Sequence, residues 1–144
     1  MSDTLQDLYQ TIILDHNKRP RNYGKPDVYT HSAEGYNPLC GDRVEVFMVL
    51  KENQIEKICF ESASCAICKA SASMMTQKLQ GTSLEKAGEV HRWVGELLSN
   101  DSNLKADISV NGDIAALAGV RKFTARIKCA VLPWQTYANA LAEG

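Results

Sequence analysis

The stretch RVEVFMVLKENQIEKICFES, residues 43–62, predicts a β-hairpin. Both arms are rich in β-branched and aromatic residues, and the polar segment KENQ between them breaks the pattern as a turn does. In the second arm, Ile58 and Phe60 are assigned to one face of the strand, which would pack against the core. The hairpin therefore predicts an antiparallel sheet in the first half of the chain.

Helical periodicity lies on both sides of this hairpin. Residues 4–16 place apolar side chains at helical spacing, and the basic segment NKRPRNYGKP that follows ends this helix with two prolines and a glycine. Residues 65–80 predict a second helix, whose small residues would allow close packing on the hairpin and which Gly81 would end. The sheet should thus be covered by helices from both directions along the chain.

The rest of the chain predicts a turn and three more helices. The segment EGYNPLCGD before the hairpin is interpreted as a turn, because it contains Gly, Asn, Pro and Asp. Thr82 followed by Glu85 forms a capping box that would open a third helix. The segment GDIAALAG predicts a short helix. Residues 124–143 predict a last helix interrupted at Pro133, because proline lacks a backbone donor and clashes with the preceding turn.

Together these elements predict an α+β fold. We expect a single compact domain over residues 1–144, with a small antiparallel sheet of about three strands packed with about five or six helices. A chain of 144 residues can bury a core without disulfide bonds. We therefore expect one functional site on a single domain.

Composition narrows the classes of function. The residues are 44% hydrophobic and 23% charged, with a net charge of -1, so no nucleic-acid partner is predicted. No basic-then-apolar leader and no apolar run of about 18 to 20 residues is visible, so no membrane association is predicted and the expected location is cytoplasmic. In that reducing compartment, five cysteines are expected to be metal ligands, reactive thiols or buried apolar groups.

Two of the cysteines have contrasting surroundings. Cys59 alternates with Ile58 and Phe60 inside a strand pattern and is predicted to be a small hydrophobic residue. Cys40 lies on a loop, where Gly41 permits close backbone approach and Asp42 offers an oxygen ligand or a hydrogen-bond acceptor. A functional role is therefore predicted for Cys40.

Two further cysteines are candidate reactive thiols. Cys65 begins a helix, so the helix dipole should lower its pKa, and Cys129 lies near Arg126 and Lys128, where positive charge should do the same. Cys65 also forms a C-x-x-C motif with Cys68, which is weak evidence for a dithiol oxidoreductase.

A soft ligand set could be built from these residues. Three thiolates and a carboxylate can hold a tetrahedral zinc ion or a nascent iron-sulfur cluster. The cysteine spacing matches no zinc-finger pattern, so such a site would have to be assembled by the fold from the loop, a helix start and the C-terminal segment.

The segments YNPLCGDRVEV, SCAICKASASMMTQ and GDIAALAGVRKFTARIKCA, with the opening LYQTIILDHNKRPRNYG, resemble the U-type iron-sulfur cluster assembly proteins. This family includes the IscU and NifU scaffolds and the SufU proteins, and its N-terminal NifU-like fold would cover the whole chain. Two features are most similar to the SufU branch: the long helical segment between the second and third motif cysteines, and Lys128 where scaffold members carry histidine.

The resemblance implies roles for individual residues. Cys40, Asp42, Cys65 and Cys129 occupy the family's metal-ligand positions, and Arg126 matches an arginine near the metal. In the SufU branch the metal is zinc (Zn2+). The thiol at the Cys40 position takes persulfide sulfur from a PLP-dependent, SufS-like cysteine desulfurase, after a desulfurase side chain replaces it on the metal.

These residues leave three functions open. The first is a zinc-bound sulfurtransferase-like acceptor that relays sulfur to downstream iron-sulfur assembly machinery. The second is a scaffold on which Cys40, Cys65 and Cys129 hold a transient 2Fe-2S cluster or iron, later handed to apo-proteins. The third is the dithiol oxidoreductase. The first is physically reasonable because a loop thiol flanked by glycine can leave a metal while Asp42 remains bound to it.

Three positions depart from the family pattern. Ser64 stands where glycine is usual and would narrow the approach to the metal if the position needs positive φ. Cys68 stands where serine is usual and could be a fourth ligand, a resolving thiol or an isostere, of which we favour the isostere. Thr124 stands where proline is common.

The remaining polar and aromatic candidates are given structural roles. Asp15 and His16 could be an acid-base pair, but without a neighbouring nucleophile a structural or partner-facing role is favoured. The lone histidines His31 and His91 are predicted to lie at the surface, and Met74 and Met75 to pack in the core. Trp134 is predicted to anchor the last helix. The basic cluster is predicted to be solvated; its members are Lys18, Arg19, Arg21 and Lys25.

Overall fold

The computed structural model describes residues 4–99 and 102–143. Within these ranges the chain forms three strands, five α-helices and one 3-10 helix, so the predicted α+β class with a small antiparallel sheet is confirmed. In chain order the elements are α1 (Thr4–Lys18), β1 (His31–Asn37), β2 (Asp42–Lys51), β3 (Gln54–Ala63), α2 (Ala66–Leu79), α3 (Leu84–Leu97), α4 (Ile108–Asn111), the 3-10 helix (Gly112–Lys122) and α5 (Thr124–Glu143). In this described part, no helix combines the length and the apolar character needed to cross a membrane.

The sheet has the order β1-β2-β3, with both neighbouring pairs antiparallel. The β2–β3 pair is the predicted hairpin, and Val46 opposite Phe60 marks its register. The segment interpreted as a turn is partly wrong, because its first four residues, 34–37, belong to β1. Their composition has a low propensity for strand formation. Packing against α5, rather than local propensity, therefore makes these residues a strand.

The inner face of the sheet packs on α2 and α5. Val44, Val46 and Met48 of β2 and Ile58 and Phe60 of β3 are fully buried, as the hairpin pattern predicts. Helix α2 is buried along most of its length, including its run of small residues, Ala70, Ser71, Ala72 and Ser73. Those small side chains allow the helix axis to lie close to its neighbours. Met74 and Met75 are core residues, as expected.

Helix α5 lies against the edge strand at Gly35. A Cβ atom built at this position would collide with Thr136 Oγ1 and crowd Leu132 of α5. Glycine is therefore required here for close approach of strand and helix. This contact fixes the end of β1, from which the Cys40 loop begins.

The start of α3 differs from the predicted capping box. Ser83 is the N-cap, and its Oγ accepts a hydrogen bond from Lys86 N at 3.1 Å. Thr82 instead donates from Oγ1 to Leu79 O at 2.7 Å, which closes the end of α2. Thr82 O also accepts from Ile55 N of β3, so pairing with the strand displaces the cap by one residue.

The predicted interruption of α5 at Pro133 is wrong, because the helix continues through it. Contacts with α2 support this stretch: Ser71 Oγ donates to Ala130 O at 2.6 Å, and Trp134 Nε1 donates to Ser71 Oγ at 3.1 Å. Trp134 is 2% exposed, consistent with its predicted role as an anchor. Tertiary packing thus outweighs the local cost of proline in the helix. The segment GDIAALAG is helical as expected, but as part of a longer 3-10 helix.

Candidate metal centre

Three separate parts of the chain meet at one end of the sheet. Cys40 lies on the loop between β1 and β2, and Asp42 is the first residue of β2. Arg43 pairs with Ala63, so the start of β2 lies beside the end of β3, after which Cys65 caps α2. Cys129 is in the second turn of α5. Antiparallel pairing and helix packing therefore bring together residues that are far apart in sequence.

Three of the four residues assigned by resemblance form a tight group. The ligand atoms of Cys40, Asp42 and Cys129 all lie within 4.8 Å of one another. The two sulfurs of Cys40 and Cys129 are 3.8 Å apart. Cys65 lies at the edge of this group, with its Sγ 3.8 Å from Asp42 Oδ2.

These distances fit a tetrahedral ion. Two sulfurs bound to zinc at about 2.3 Å would be separated by about 3.8 Å in a regular tetrahedron. The Cys40–Cys129 separation has this value before any adjustment of the side chains. Thiolates with one carboxylate are also a chemically suitable set for Zn2+ or iron. The residues present can therefore hold the metal that the resemblance implies.

Asp42 is oriented by the start of α2. Its Oδ1 accepts the backbone N–H of Cys65 at 2.9 Å, which leaves Oδ2 facing the thiols. The residue is 2% exposed, so its carboxylate is held by the fold rather than by solvent. A fixed carboxylate with one oxygen available is a common arrangement of a metal ligand.

Exposure differs sharply among the four residues. Cys129 and Asp42 are buried and Cys65 is half-buried, whereas Cys40 is exposed. The next residue, Gly41, has φ +76°, a conformation that favours glycine. Cys40 is thus the member of the group that another protein could reach most easily.

The expected lowering of the Cys129 pKa is wrong for this structure. Burial raises the pKa of the Cys129 thiol, and its contacts with Asp42 and Cys65 raise it further. Desolvation therefore outweighs the positive charge of Arg126, which is exposed. The pKa of the Arg126 guanidinium is raised by its interaction with Cys129 and then by Cys65.

The other two cysteines are buried, Cys68 in the core and Cys59 on the face of the sheet opposite to Ile58 and Phe60. Cys68 is fully buried, and burial raises its pKa to about 12. Cys59 is 7% exposed, as its strand position predicts, and burial raises its pKa as well. Thiols of this kind react slowly, which favours the isostere interpretation of Cys68 over a resolving thiol. All five cysteines lie in the described ranges and are free thiols.

Two departures from the family pattern have simple structural settings. Among the described non-glycine residues, positive φ occurs at Asn22, Glu52 and Asn53 and not at Ser64, so the condition under which Ser64 would narrow the approach to the metal is not met. Thr124 is the first residue of α5, a position where proline is well tolerated.

His16 is fully buried and binds partners that the sequence did not indicate. Its Nδ1 lies 2.7 Å from Ser73 Oγ and its Nε2 2.8 Å from Asp113 Oδ2. Asp15 instead binds Arg19 and Arg21. The predicted structural role of His16 is therefore consistent with the structure, whereas the Asp15–His16 pair does not form.

The remaining polar predictions give mixed results. Arg19 and Arg21 form ion pairs with Asp15. Lys25 lies over the rings of Tyr29 and Phe47, so the basic cluster has protein partners and is not wholly solvated. His91 is half-buried against Trp134 and Tyr137 rather than free at the surface. His31 is also half-buried, at the start of β1.

Sequence reasoning missed one residue of the site, Asn37. Its Nδ2 lies 3.6 Å from Cys40 Sγ, and its Oδ1 accepts from Leu39 N at 3.1 Å. The Asn37-Pro38 dipeptide could have indicated this role, because the side chain of an asparagine at the start of a turn commonly accepts a hydrogen bond from the backbone N–H two residues later.

Comparisons with known proteins identify the family of this chain. The NifU-like N terminal domain family matches residues 8–130. The zinc-dependent sulfurtransferase SufU of Bacillus subtilis (strain 168) is 40% identical over 142 residues, which cover 96% of this chain and 92% of that protein. The iron-sulfur cluster assembly scaffold protein IscU of Streptococcus pyogenes serotype M1 is 37% identical over 139 residues, covering 96% and 83%.

A solved structure has the same fold along nearly the whole chain. It is a protein of the thermophile Fervidobacterium islandicum AW-1, assigned to the iron-sulfur cluster assembly scaffolds of the SUF system. The TM-score is 0.82 at 28% identity, over 98% of this chain and 99% of that one. Family match, identity and fold lead to one conclusion: this chain belongs to the NifU-like N-terminal domain family of iron-sulfur cluster assembly proteins.

Proposed function

We propose that this protein is a zinc-dependent sulfur acceptor that takes persulfide sulfur onto Cys40 from a PLP-dependent, SufS-like cysteine desulfurase. The observation that carries the proposal is the exposure of Cys40 on a glycine-flanked loop, beside Asp42, Cys65 and Cys129, which are more deeply held. The 40% identical relative is named a zinc-dependent sulfurtransferase, which supports the choice. The protein would act in the cytoplasm as one domain and pass sulfur to downstream assembly machinery.

Cys40, Asp42, Cys65 and Cys129 would hold the zinc. Zn2+, when bound, would keep its cysteine ligands as thiolates at neutral pH and so offset the burial that raises the pKa of the Cys129 thiol. Asp42, oriented by the Cys65 N–H, would stay in place while the Cys40 loop moves. Arg126 at the rim would favour the approach of an anionic group.

The transfer itself is a thiol exchange with balanced electrons. The Cys40 thiolate attacks the outer sulfur of the desulfurase persulfide, and a new S–S bond forms at Cys40 Sγ. The S–S bond on the desulfurase breaks, and its cysteine leaves as a thiolate with the electron pair. The products are a Cys40 persulfide and a free desulfurase thiol, and no external oxidant or reductant is needed.

Replacement of Cys40 tests this proposal. Cys40→Ala should abolish persulfide on this protein and its acceleration of desulfurase turnover, measured by mass spectrometry and by cysteine consumption. Cys59→Ala is the matched control, because Cys59 is a buried thiol on the sheet face opposite to the core, and it should behave as the wild type. Full acceleration and persulfide in the Cys40→Ala protein would refute the relay.

A second candidate function is a scaffold for a transient 2Fe-2S cluster, handed to apo-proteins. It is favoured by the 37% identical relative named as a scaffold and by the suitability of the same thiolates for iron. Anaerobic incubation with iron, cysteine and desulfurase should then produce thiolate-to-iron absorption on this protein. About one zinc per chain and no colour under these conditions would favour the sulfur relay instead.

A further inference from the structure

We propose that Asn37 is the positioning residue of Cys40, holding the loop with one end of its amide and the cysteine sulfur with the other. The inference deepens the proposed function, on which its sulfur-transfer arm rests. Asn37 is not in the set of metal-ligand positions, and its part would be to place the thiol rather than to react.

The backbone of Asn37 closes the loop. Asn37 pairs with Asp42 as the last pair of the β1–β2 ladder, and its carbonyl accepts the N–H of Gly41 at 2.7 Å. Pro38 follows it, and a residue before proline is restricted to extended backbone, as the end of a strand requires. The four residues 38–41 are therefore held at both ends by the same asparagine.

The side chain of Asn37 has a defined orientation. Its Oδ1 accepts from Leu39 N at 3.1 Å, and only the oxygen of the amide can accept this bond. The amide NH2 group must then be the end that faces Cys40 Sγ at 3.6 Å. The hydrogen-bond network itself therefore assigns a donor to the sulfur.

The sulfur of Cys40 lies between two neighbours. The Asn37 amide is on the loop side, and Cys129 Sγ is 3.8 Å away on the side of the ligand group. The Asn37 amide donor favours the Cys40 rotamer whose sulfur faces the ligand group. Because Asn37 closes the same loop, its amide would stay beside the sulfur when Cys40 moves outward. Asn37 would thus support the negative sulfur in both positions.

Two substitutions separate the two ends of the amide. Asn37→Asp keeps the acceptor for Leu39 N and replaces the donor to sulfur with a second oxygen. Asn37→Ser can still accept from Leu39 N, but its shorter side chain does not reach the sulfur, and it adds no charge. Asn53→Asp is the matched control, because Asn53 lies in the other hairpin turn, exposed and at the opposite end of the sheet.

Metal binding is the first measurement. Both Asn37 variants should remain folded by circular dichroism and bind Zn2+ about 10-fold to 100-fold more weakly in chelator competition, the usual range for outer partners of ligands. Their Co2+ forms should show an altered thiolate charge-transfer band. Asn53→Asp should match the wild type in both. Wild-type zinc affinity and cobalt spectrum in Asn37→Ser or Asn37→Asp would overturn the proposal.

Sulfur transfer gives a second, separate test. With the zinc site saturated, both Asn37 variants should lower the maximal rate of sulfur uptake about 10-fold without changing the half-saturating concentration of desulfurase. An increase in that concentration alone would overturn a positioning role, since it would place Asn37 in partner binding. If the wild type takes up no sulfur, the proposed function fails, while the zinc-affinity comparison still decides the role of Asn37.

Discussion

At the scale of single residues, identical side chains have different chemistry because of burial. Cys40 and Cys68 are both free thiols near Asp42, but Cys40 is exposed on a loop and Cys68 is fully enclosed in α2. Burial raises the Cys68 pKa to about 12, so almost no thiolate is present at neutral pH. In the C-x-x-C motif, Cys68 is therefore a core residue, whereas Cys65 is half-buried beside Asp42.

Replacing Cys68 with serine should have little effect on function. We expect Cys68→Ser to retain its metal and sulfur uptake, because the thiol is not at the surface, and to lose about 1 kcal/mol of stability from burial of a more polar group. Metal analysis, persulfide labelling and urea unfolding would measure these quantities. Loss of persulfide transfer in a folded Cys68→Ser protein would instead support a resolving thiol.

At the scale of elements, the site depends on how closely β1 lies on α5. β1 leads into the Cys40 loop, and α5 carries Cys129, so their contact sets the distance between these two sulfurs. Gly35 is the point of closest approach, where a side chain would meet Thr136 and Leu132. An edge strand of weak propensity is thus held in place by a helix.

A methyl group at this contact should disturb both stability and metal binding. Gly35→Ala is expected to cost about 1–3 kcal/mol by overpacking and to weaken zinc binding, because β1 must move away from α5. Gly95→Ala is the control: Gly95 lies in α3 with open space around it, and alanine there should stabilise by about 0.5–1 kcal/mol. Equal stability of the Gly35→Ala and wild-type proteins would contradict the packing argument.

At the scale of the whole molecule, a buried histidine joins three elements. His16 of α1 contacts Ser73 of α2 and Asp113 of the 3-10 helix. Ser73 Oγ accepts from Arg21 N, so its hydroxyl can donate to Nδ1 while Nε2–H donates to Asp113. One neutral tautomer therefore satisfies all of these groups.

This arrangement predicts a pH dependence of stability. Burial lowers the His16 pKa below its usual 6.5, against the opposing effect of Asp113. The fold favours the neutral form of His16. Its contribution to the free energy of unfolding should therefore be complete above about pH 6.5 and decrease as the pH falls toward the folded-state pKa. The decrease is at most about 1.4 kcal/mol per pH unit.

Urea unfolding between pH 7 and 5 measures this effect. Asp15 and Asp107 take up protons only below this interval, because the pKa of each carboxyl is lowered from 3.8. His16→Gln should flatten the dependence, whereas His31→Gln, at the start of β1, should leave it unchanged. Stability that does not fall between pH 7 and 5 in the wild type would show that His16 is not the titrating group.

Local patterns were enough for much of the fold. The hairpin, α1 and α2 follow from periodicity and turn residues, which act between neighbours in the chain. The errors at β1, at the cap of α3 and at Pro133 share one cause, because at each point a contact with another element outweighs local propensity. Local sequence indicated a possible soft ligand set of loop, helix start and C-terminal segment, and the resemblance assigned Cys40, Asp42, Cys65 and Cys129 to metal-ligand positions.

The sequence by itself determined the hairpin, most of the helices, their order and the supply of thiols and carboxylates. Only the tertiary structure decided which of these side chains meet, since Cys40 and Cys129 are 89 residues apart in sequence and 3.8 Å apart in space. It also decided that Cys129 and Cys68 have raised pKa values, and that Asn37 faces the exposed thiol. The physical reason is that propensity is a property of neighbouring residues, whereas desolvation and contact depend on everything packed around a group.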